Sequence, residues 1–125
     1  MSFGETLYTK LSGDVGVSAL VGTRIYPNKF KQTKTVPAIR YSRVSGVRPS
    51  AMGSDVGITR YTYQIDIIGN TYSTTDAAKE AVVTSLRRWR QTGLQDTFII
   101  QEVDDFDDTT NLDRIRLTVE FIVEE

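Results

Sequence analysis

The chain has 125 residues, with 15 basic and 16 acidic side chains and a formal net charge of −1. A chain of this length can bury a core of its own, so we expect a single domain over residues 1–125. It contains no cysteine and no histidine, which excludes disulfides and thiolate metal sites and removes the commonest general base. The near-zero net charge supplies no overall attraction to nucleic acid.

Membrane and export signals are not found in the sequence. No apolar run approaches the roughly 20 residues that a membrane-spanning helix needs. The N-terminal residues lack the basic region followed by an apolar region that marks a signal peptide. We therefore expect a soluble protein that is made in a cytoplasm and has no membrane partner.

The N-terminal part predicts a helix and a brief extended segment. Apolar residues recur at helical spacing over residues 3–11, and Gly13-Asp14 end that helix. Residues 15–21 are compatible with a short second turn. The extended piece over residues 23–26 is followed by Pro27, which cannot donate a ladder hydrogen bond and so keeps the strand from a central place in a sheet.

A strand and a helix in the middle of the chain organise the predicted fold. Residues 59–68 alternate between apolar and polar side chains, as in a half-buried strand, and Asp66 lies on the outward side. The hydroxyls and carboxylate of residues 73–76 predict a helix N-terminus. From Ala77 to Trp89 the apolar residues take helical spacing, so this helix can cover one face of the sheet. The inward side chains of the strand are Tyr61, Tyr63, Ile65 and Ile67.

Three further strands complete the prediction. Residues 36–44 form a further strand. Its apolar residues lie at both odd and even positions, which indicates either a bulge or a sheet that is partly covered on both faces. Residues 97–103 and 114–123 form the last two strands. The fold class is therefore α+β, with a mostly antiparallel four-to-five-stranded sheet, two helices packed on it and a long hairpin loop.

The acidic stretch between the last two strands, residues 104–113, has two interpretations. Its carboxylates could form a weak divalent-cation site, although the central glycine and closing glutamate of an EF-hand loop are missing. The alternative, which we favour, is a strand-connecting turn in which Asp and Asn side chains bond their own backbone.

Catalytic chemistry is poorly supported. Without histidine or cysteine, only carboxylates, lysines or tyrosines could act as base or nucleophile. Asp66 is the best candidate for a buried acid, but it lies on the outward side of its strand. The sequence also has no phosphate-binding glycine loop. We expect no enzyme activity, no cofactor and no metal, and we retain a small carboxylate-dependent hydrolase using Asp66 or Asp107 as the rival.

Two long polar segments and one arginine cluster are the candidate interaction sites. Residues 28–35 form either a solvated connector or an arm that packs on a neighbouring subunit, and residues 45–57 form a mobile hairpin tip. The arginines beside Trp89 are expected in the last helical turn, ended by Gly93. They could be solvated, contact nucleic acid, or pair with the acidic stretch of the same or another subunit. The candidate interface residues are Lys29, Phe30, Lys31, Lys34, Arg48, Met52, Asp55, Arg87 and Arg90.

The order of short motifs along nearly the whole chain resembles the tail-completion proteins of tailed phages, a family that includes tail terminators and head–tail joining proteins. The motifs that carry this resemblance are Ala19-Leu20-Val21-Gly22, Arg24-Ile25-Tyr26-Pro27, Val36-Pro37-Ala38-Ile39-Arg40-Tyr41 ahead of Ser45-Gly46, Gln64-Ile65-Asp66-Ile67-Ile68, Thr71-Tyr72, Asp76-Ala77-Ala78, and the acidic run Asp104 to Asp108 before the final alternating strand.

The resemblance implies a structural role in virion assembly inside a bacterial host, by a phage or a prophage. Its members assemble as a ring, commonly a hexamer, at the head-proximal end of the tail tube. The implied partners are other copies of the chain, the tail tube protein and the head connector or adaptor, with DNA as passing cargo. Another neck protein of similar fold, or the tube subunit itself, remains the structural alternative.

Overall fold

A computed structural model describes residues 3–22, 24–28, 37–48, 50–51, 54–55, 57–107 and 112–124. Among them, no helix has the length and apolar character needed to cross a membrane. The elements in chain order are α1 (Phe3–Gly13), α2 (Val15–Val21), β1 (Ile25–Pro27), β2 (Ala38–Val47), β3 (Ser50–Ala51), β4 (Ser54–Asp55), β5 (Ile58–Gly69), α3 (Tyr72–Leu86), β6 (Leu94–Asp107) and β7 (Leu112–Glu124).

The main sheet has five strands in the order β1-β2-β5-β7-β6. Every pair in it is antiparallel except β1 with β2, which confirms the predicted α+β fold with a mostly antiparallel sheet. The described part of the chain contains three helices where two were predicted. The possible second turn is the helix α2, because the Asp14 carboxylate accepts the Val17 backbone N–H at 3.1 Å and caps it.

One face of the sheet and the three helices enclose the core. The register of β5 and β7 places Tyr61 opposite Phe121 and Ile65 opposite Leu117, and these side chains share the core with the buried residues of the helices. Phe3 of α1 lies 4.7 Å from Phe121, centroid to centroid. The prediction that Tyr61 and Tyr63 face the core is confirmed, and Trp89 and Phe121 are buried with them.

The predicted start and end of the central helix were both wrong. The helix begins at Tyr72, because the Thr71 hydroxyl accepts the Thr74 backbone N–H at 3.2 Å. It ends at Leu86, where Arg87 is extended and Arg88 has a φ of 55°. The arginines therefore follow the helix instead of lying in its last turn.

Gly93, predicted to end this helix, belongs to the turn that enters β6. Its φ is 85°, a left-handed conformation that favours glycine, and its carbonyl accepts the Glu124 N–H at 2.8 Å. The glycine therefore joins the turn to the last strand.

The strand limits also differ from the prediction. β6 continues to Asp107, so Asp104 and Asp105 lie in a strand and not in a connecting turn, because pairing with β7 persists through this stretch. In β2 both interpretations of the parity change are correct. The register shifts between Arg43 and Ser45, and the neighbours Ala38 and Ile39 are both buried.

The predicted loop over residues 45–57 is shorter and more regular than expected. β2 extends to Val47, which is paired with Arg60 of β5. Beyond it, β3 and β4 pair with each other as a separate two-stranded sheet. The hairpin tip therefore extends past the end of the main sheet.

Candidate interaction surfaces

The open face of the sheet, away from the helices, centres on the buried carboxylate of Asp66. The register sets Arg40 of β2 and Arg116 of β7 directly beside it. Arg40 donates to Oδ2, and Arg116 Nε donates to Oδ1 at 3.1 Å. Burial, and then the nearby charges of Arg114 and Arg116, lower the pKa of the Arg40 guanidinium.

Asp66 lies on the outward side of β5, as predicted, but this network buries it. Its exposed fraction is 0% because long arginine side chains from both neighbouring strands cover it. Both carboxylate oxygens already accept charge-assisted hydrogen bonds. The arrangement holds three strands together and leaves this carboxylate poorly placed to take a proton from a substrate.

The arginines that follow α3 converge on Asp96 of β6. Arg88 Nη2 lies 2.8 Å and Arg90 Nη2 3.3 Å from Asp96 Oδ2. Desolvation opposes ionisation, but the hydrogen bond from the Thr97 backbone N–H and the charges of Arg90 and Arg88 outweigh it and lower the pKa of the Asp96 carboxyl. In the part of the chain that the structure describes, Arg88 and Arg90 pair with Asp96 and not with the acidic stretch at residues 104–113.

The cluster is anchored through the backbone of Trp89. The Thr97 hydroxyl donates to the Trp89 carbonyl at 2.9 Å, and Trp89 itself is buried. Arg87 is exposed and has no salt bridge to a described residue. Of the two interface candidates in this arginine cluster, Arg87 is therefore better placed than Arg90 to meet a partner.

A buried lysine on α3 is a feature that the sequence analysis missed. Lys79 Nζ lies 2.5 Å from Glu80, 3.4 Å from Asp76 and 3.5 Å from Glu102 of β6. The hydrogen bond with Glu80 and the neighbouring carboxylates raise the pKa of this ammonium group above its usual range, although burial opposes the shift. The lysine ties the helix to β6, a contact that no local sequence pattern could indicate.

At the other end of the sheet, Arg48 follows β2 at the base of the hairpin tip. Its Nη2 lies 3.5 Å from the Tyr61 hydroxyl, and both residues line a groove that also includes Phe3 and Tyr63. Arg48 is exposed. A candidate contact residue is thus joined to the core through Tyr61.

Four of the nine large apolar residues that are exposed in the described ranges lie in the edge strand β6. β6 is the last strand of the sheet and pairs with β7 alone. Phe98, Ile100, Val103 and Phe106 are 39%, 54%, 41% and 46% exposed. Because unpaired strand edges can accept another strand, this edge is open to association.

The structure describes only part of the remaining interface candidates. Asp55 lies in β4, and its side chain is outside what the structure describes. Lys29, Phe30, Lys31, Lys34 and Met52 lie outside the described residues. No group of three or more acidic residues in the described ranges could hold a metal ion.

Comparison with known proteins identifies the family. The model of the family "Tail completion protein gp17" matches residues 5–124. A chain in the solved structure of the virion of a native gene transfer agent (GTA) particle superposes with a TM-score of 0.79. Its sequence identity is 20%, and the match covers 95% of this chain and 92% of that chain. No curated protein is significantly similar in sequence.

The fold and the family match define a structural protein of a phage-like tail. Because the family model covers nearly all of the chain, the protein belongs to the tail completion protein gp17 family. The resemblance drawn from the order of short motifs is thereby confirmed, as is the virion as the place where the protein acts. At 20% identity the virion chain shows a shared fold and nothing more.

Proposed function

We propose that this protein forms a closed ring at the head-proximal end of the tail tube, stops growth of the tube and presents a joining surface to the head connector. The observation that carries the proposal is the membership of the tail completion family over residues 5–124. The proposed partners are other copies of the chain, the tube protein and the connector or adaptor, with six subunits as the expected ring.

The geometry of the subunit supports a head-to-tail ring. The sheet has two different edges, the short β1 and the 14-residue β6, on opposite sides of the molecule. When one edge of a subunit contacts the other edge of the next, the contact is heterologous, and such contacts close into rings or extend as filaments. A terminator requires closure, whereas a tube subunit requires continued stacking.

Purified protein is expected to be monomeric or to form closed rings of uniform subunit number. Native mass spectrometry gives the subunit count, and negative-stain electron microscopy gives the shape. Long filaments formed by the protein alone would support the alternative, a tube subunit, and contradict the terminator role.

Deleting residues 48–55 is expected to preserve folding and impair assembly. The deletion removes β3 and β4, which pair with each other and with no other described strand. It joins Val47 at the end of β2 to residue 56, two residues before β5 begins at Ile58, and hairpins commonly have connections this short. The variant should unfold within a few degrees of the parent protein but form fewer rings or bind fewer tubes. An unfolded product would show that the tip belongs to the core.

The enzyme alternative has a separate test. Replacing Asp66 or Asp107 would abolish hydrolysis and leave assembly intact if the protein were a carboxylate-dependent hydrolase. Under our proposal, neither residue has a catalytic role.

A further inference from the structure

The main sheet leaves part of a strand open on each flank. β1 pairs only with residues 39–41 of β2, so no described strand lies beside residues 42–47 on that side. We call residues 42–47 the β2 edge. On the other flank β6 pairs with β7 alone, and residues 101–106, the β6 edge, keep a single register with β7. Each edge has about the usual length of a strand.

The two edges carry opposite charge. The β2 edge contains Arg43 and no acidic residue, and Arg48 follows it. The β6 edge contains no basic residue and three carboxylates, those of Glu102, Asp104 and Asp105. All of these charged side chains are exposed. Two β6 edges would therefore repel each other, whereas a β6 edge and a β2 edge attract.

Arg43 and Asp104 carry charges that the described part of the subunit does not neutralise. The Arg43 guanidinium lies over the Tyr61 ring, 5.6 Å from its centroid, and neither Arg43 nor Asp104 forms a salt bridge with a described residue. The other two carboxylates of the β6 edge pair with a lysine and an arginine of their own subunit. Each edge therefore has one charge available for a partner.

These two charges lie on the same side of the sheet. Arg43 is opposite Tyr63, a core residue under the helices, and Asp104 accepts a hydrogen bond from the hydroxyl of Tyr72 on α3. β2 and β6 run in opposite directions, because three antiparallel pairings connect them. A second subunit, rotated about an axis along the strands, therefore brings its β2 antiparallel to β6 with its helices on the same side.

We propose that the β6 edge of one subunit pairs as an antiparallel strand with the β2 edge of the next, so that Asp104 meets Arg43. This inference rests on the proposed ring and specifies its contact. Each subunit offers its β6 edge to one neighbour and its β2 edge to the other, which is the heterologous pattern that a ring needs. Main-chain hydrogen bonds supply affinity, and the charge pair fixes the register.

The contact also covers exposed apolar side chains. Of the large apolar residues that are exposed in the described ranges, four lie on the two edges, namely Val44, Val47, Val103 and Phe106. Their burial adds a hydrophobic contribution that salt does not screen. The attraction between the charged side chains, in contrast, weakens as the salt concentration rises.

Disulfide trapping tests this contact with little background, because the chain has no cysteine of its own. Ser45→Cys and Val103→Cys leave the charges unchanged, and both positions lie on the open face of the sheet. Within one subunit they are three strand positions apart, about 14 Å at about 4.8 Å per position. A disulfide needs Cα atoms within about 7 Å, so a link between the two positions joins different subunits.

Oxidised rings of the variant that carries both Ser45→Cys and Val103→Cys should give a ladder of covalent multimers in non-reducing electrophoresis. Each single variant is the matched control and should give no ladder, because identical positions do not meet in a heterologous contact. Rings that close normally but give no ladder overturn this contact and leave the ring intact. Dimers of Val103→Cys alone also overturn it, since they would show that two β6 edges meet.

Charge reversal tests the same contact without a cross-link. Arg43→Asp or Asp104→Arg alone should lower the fraction of protein in rings at least about tenfold, because like charges then face each other. The combined variant should recover ring formation, and circular dichroism checks that all three variants are folded. Normal rings from either single variant, or no recovery in the folded combined variant, overturn the contact. Failure of the parent protein to assemble, alone or on tail tubes, overturns both the contact and the proposed function.

Discussion

Replacing Leu86 with alanine is expected to lower the free energy of unfolding by about 2–5 kcal/mol. Leu86 is the last residue of α3, and its side chain is fully buried in the core between the helices and the sheet. Truncation removes apolar contacts and leaves a cavity that the surrounding strands can fill only partly. The measurement is urea denaturation, in which the midpoint falls while the slope stays unchanged.

Thr84→Ala is the matched control for Leu86→Ala. Thr84 lies two residues earlier on the same helix and is exposed, so its replacement should change the free energy of unfolding by less than about 0.5 kcal/mol. If Leu86→Ala were as mild as Thr84→Ala, α3 would not pack on the sheet as described.

Replacing Asp66 with asparagine is expected to cost about 2–4 kcal/mol of stability. The substitution keeps the shape of the side chain but removes the charge on which Arg40 and Arg116 converge. The two guanidinium groups would then lie close together without an anion between them. Because their side chains are 24% and 39% exposed, partial rehydration keeps the cost below that of a completely buried pair.

The control for Asp66→Asn lies on the same face of the sheet. Arg60 and Glu120 form a cross-strand ion pair at 3.3 Å, with Arg60 58% exposed. Glu120→Gln should cost less than about 1 kcal/mol, as surface ion pairs usually do. The stabilities of both variants can be compared by thermal unfolding. If Asp66→Asn and Glu120→Gln lost equal stability, burial would not make the Asp66 ion pairs more stabilising than a surface pair.

Periodicity predicted the parts of this fold that depend on neighbouring residues. The alternation of residues 59–68 and 114–123 gave the two central strands because each has one face on the core, and the inward residues are buried as expected. The apolar residues at both odd and even positions of residues 36–44 indicated the bulge. Helical spacing likewise placed Ala78, Val82 and Leu86 in the core.

Features that depend on distant residues could not be predicted in this way. Asp66 is buried by arginines 26 positions before it and 50 after it. Its place on the outward side of the strand therefore did not indicate its burial. The acidic residues at the end of β6 are in a strand because β7 pairs with them, although their composition favours a turn. The end of α3 is set by the return of Trp89 to the core, against a sequence that could continue the helix.

The candidate interface was the least predictable feature. Charge and loop length indicated polar segments as the interface, whereas four of the nine exposed large apolar residues in the described ranges lie in the edge strand β6. The sequence predicts an ordinary strand over residues 97–103 and a connecting turn after it, because a sequence does not show which strand lies at the edge of a sheet. Strand order alone reveals it.

Electron microscopy of growing tail tubes, with and without this protein, tests the capping role most directly. Gold-labelled protein should appear as a ring at one end of each tube, and tubes that carry it should stop lengthening while unlabelled tubes continue to grow. Incorporation of the label along the tube wall, or continued growth at both ends with saturating protein, would contradict the assignment.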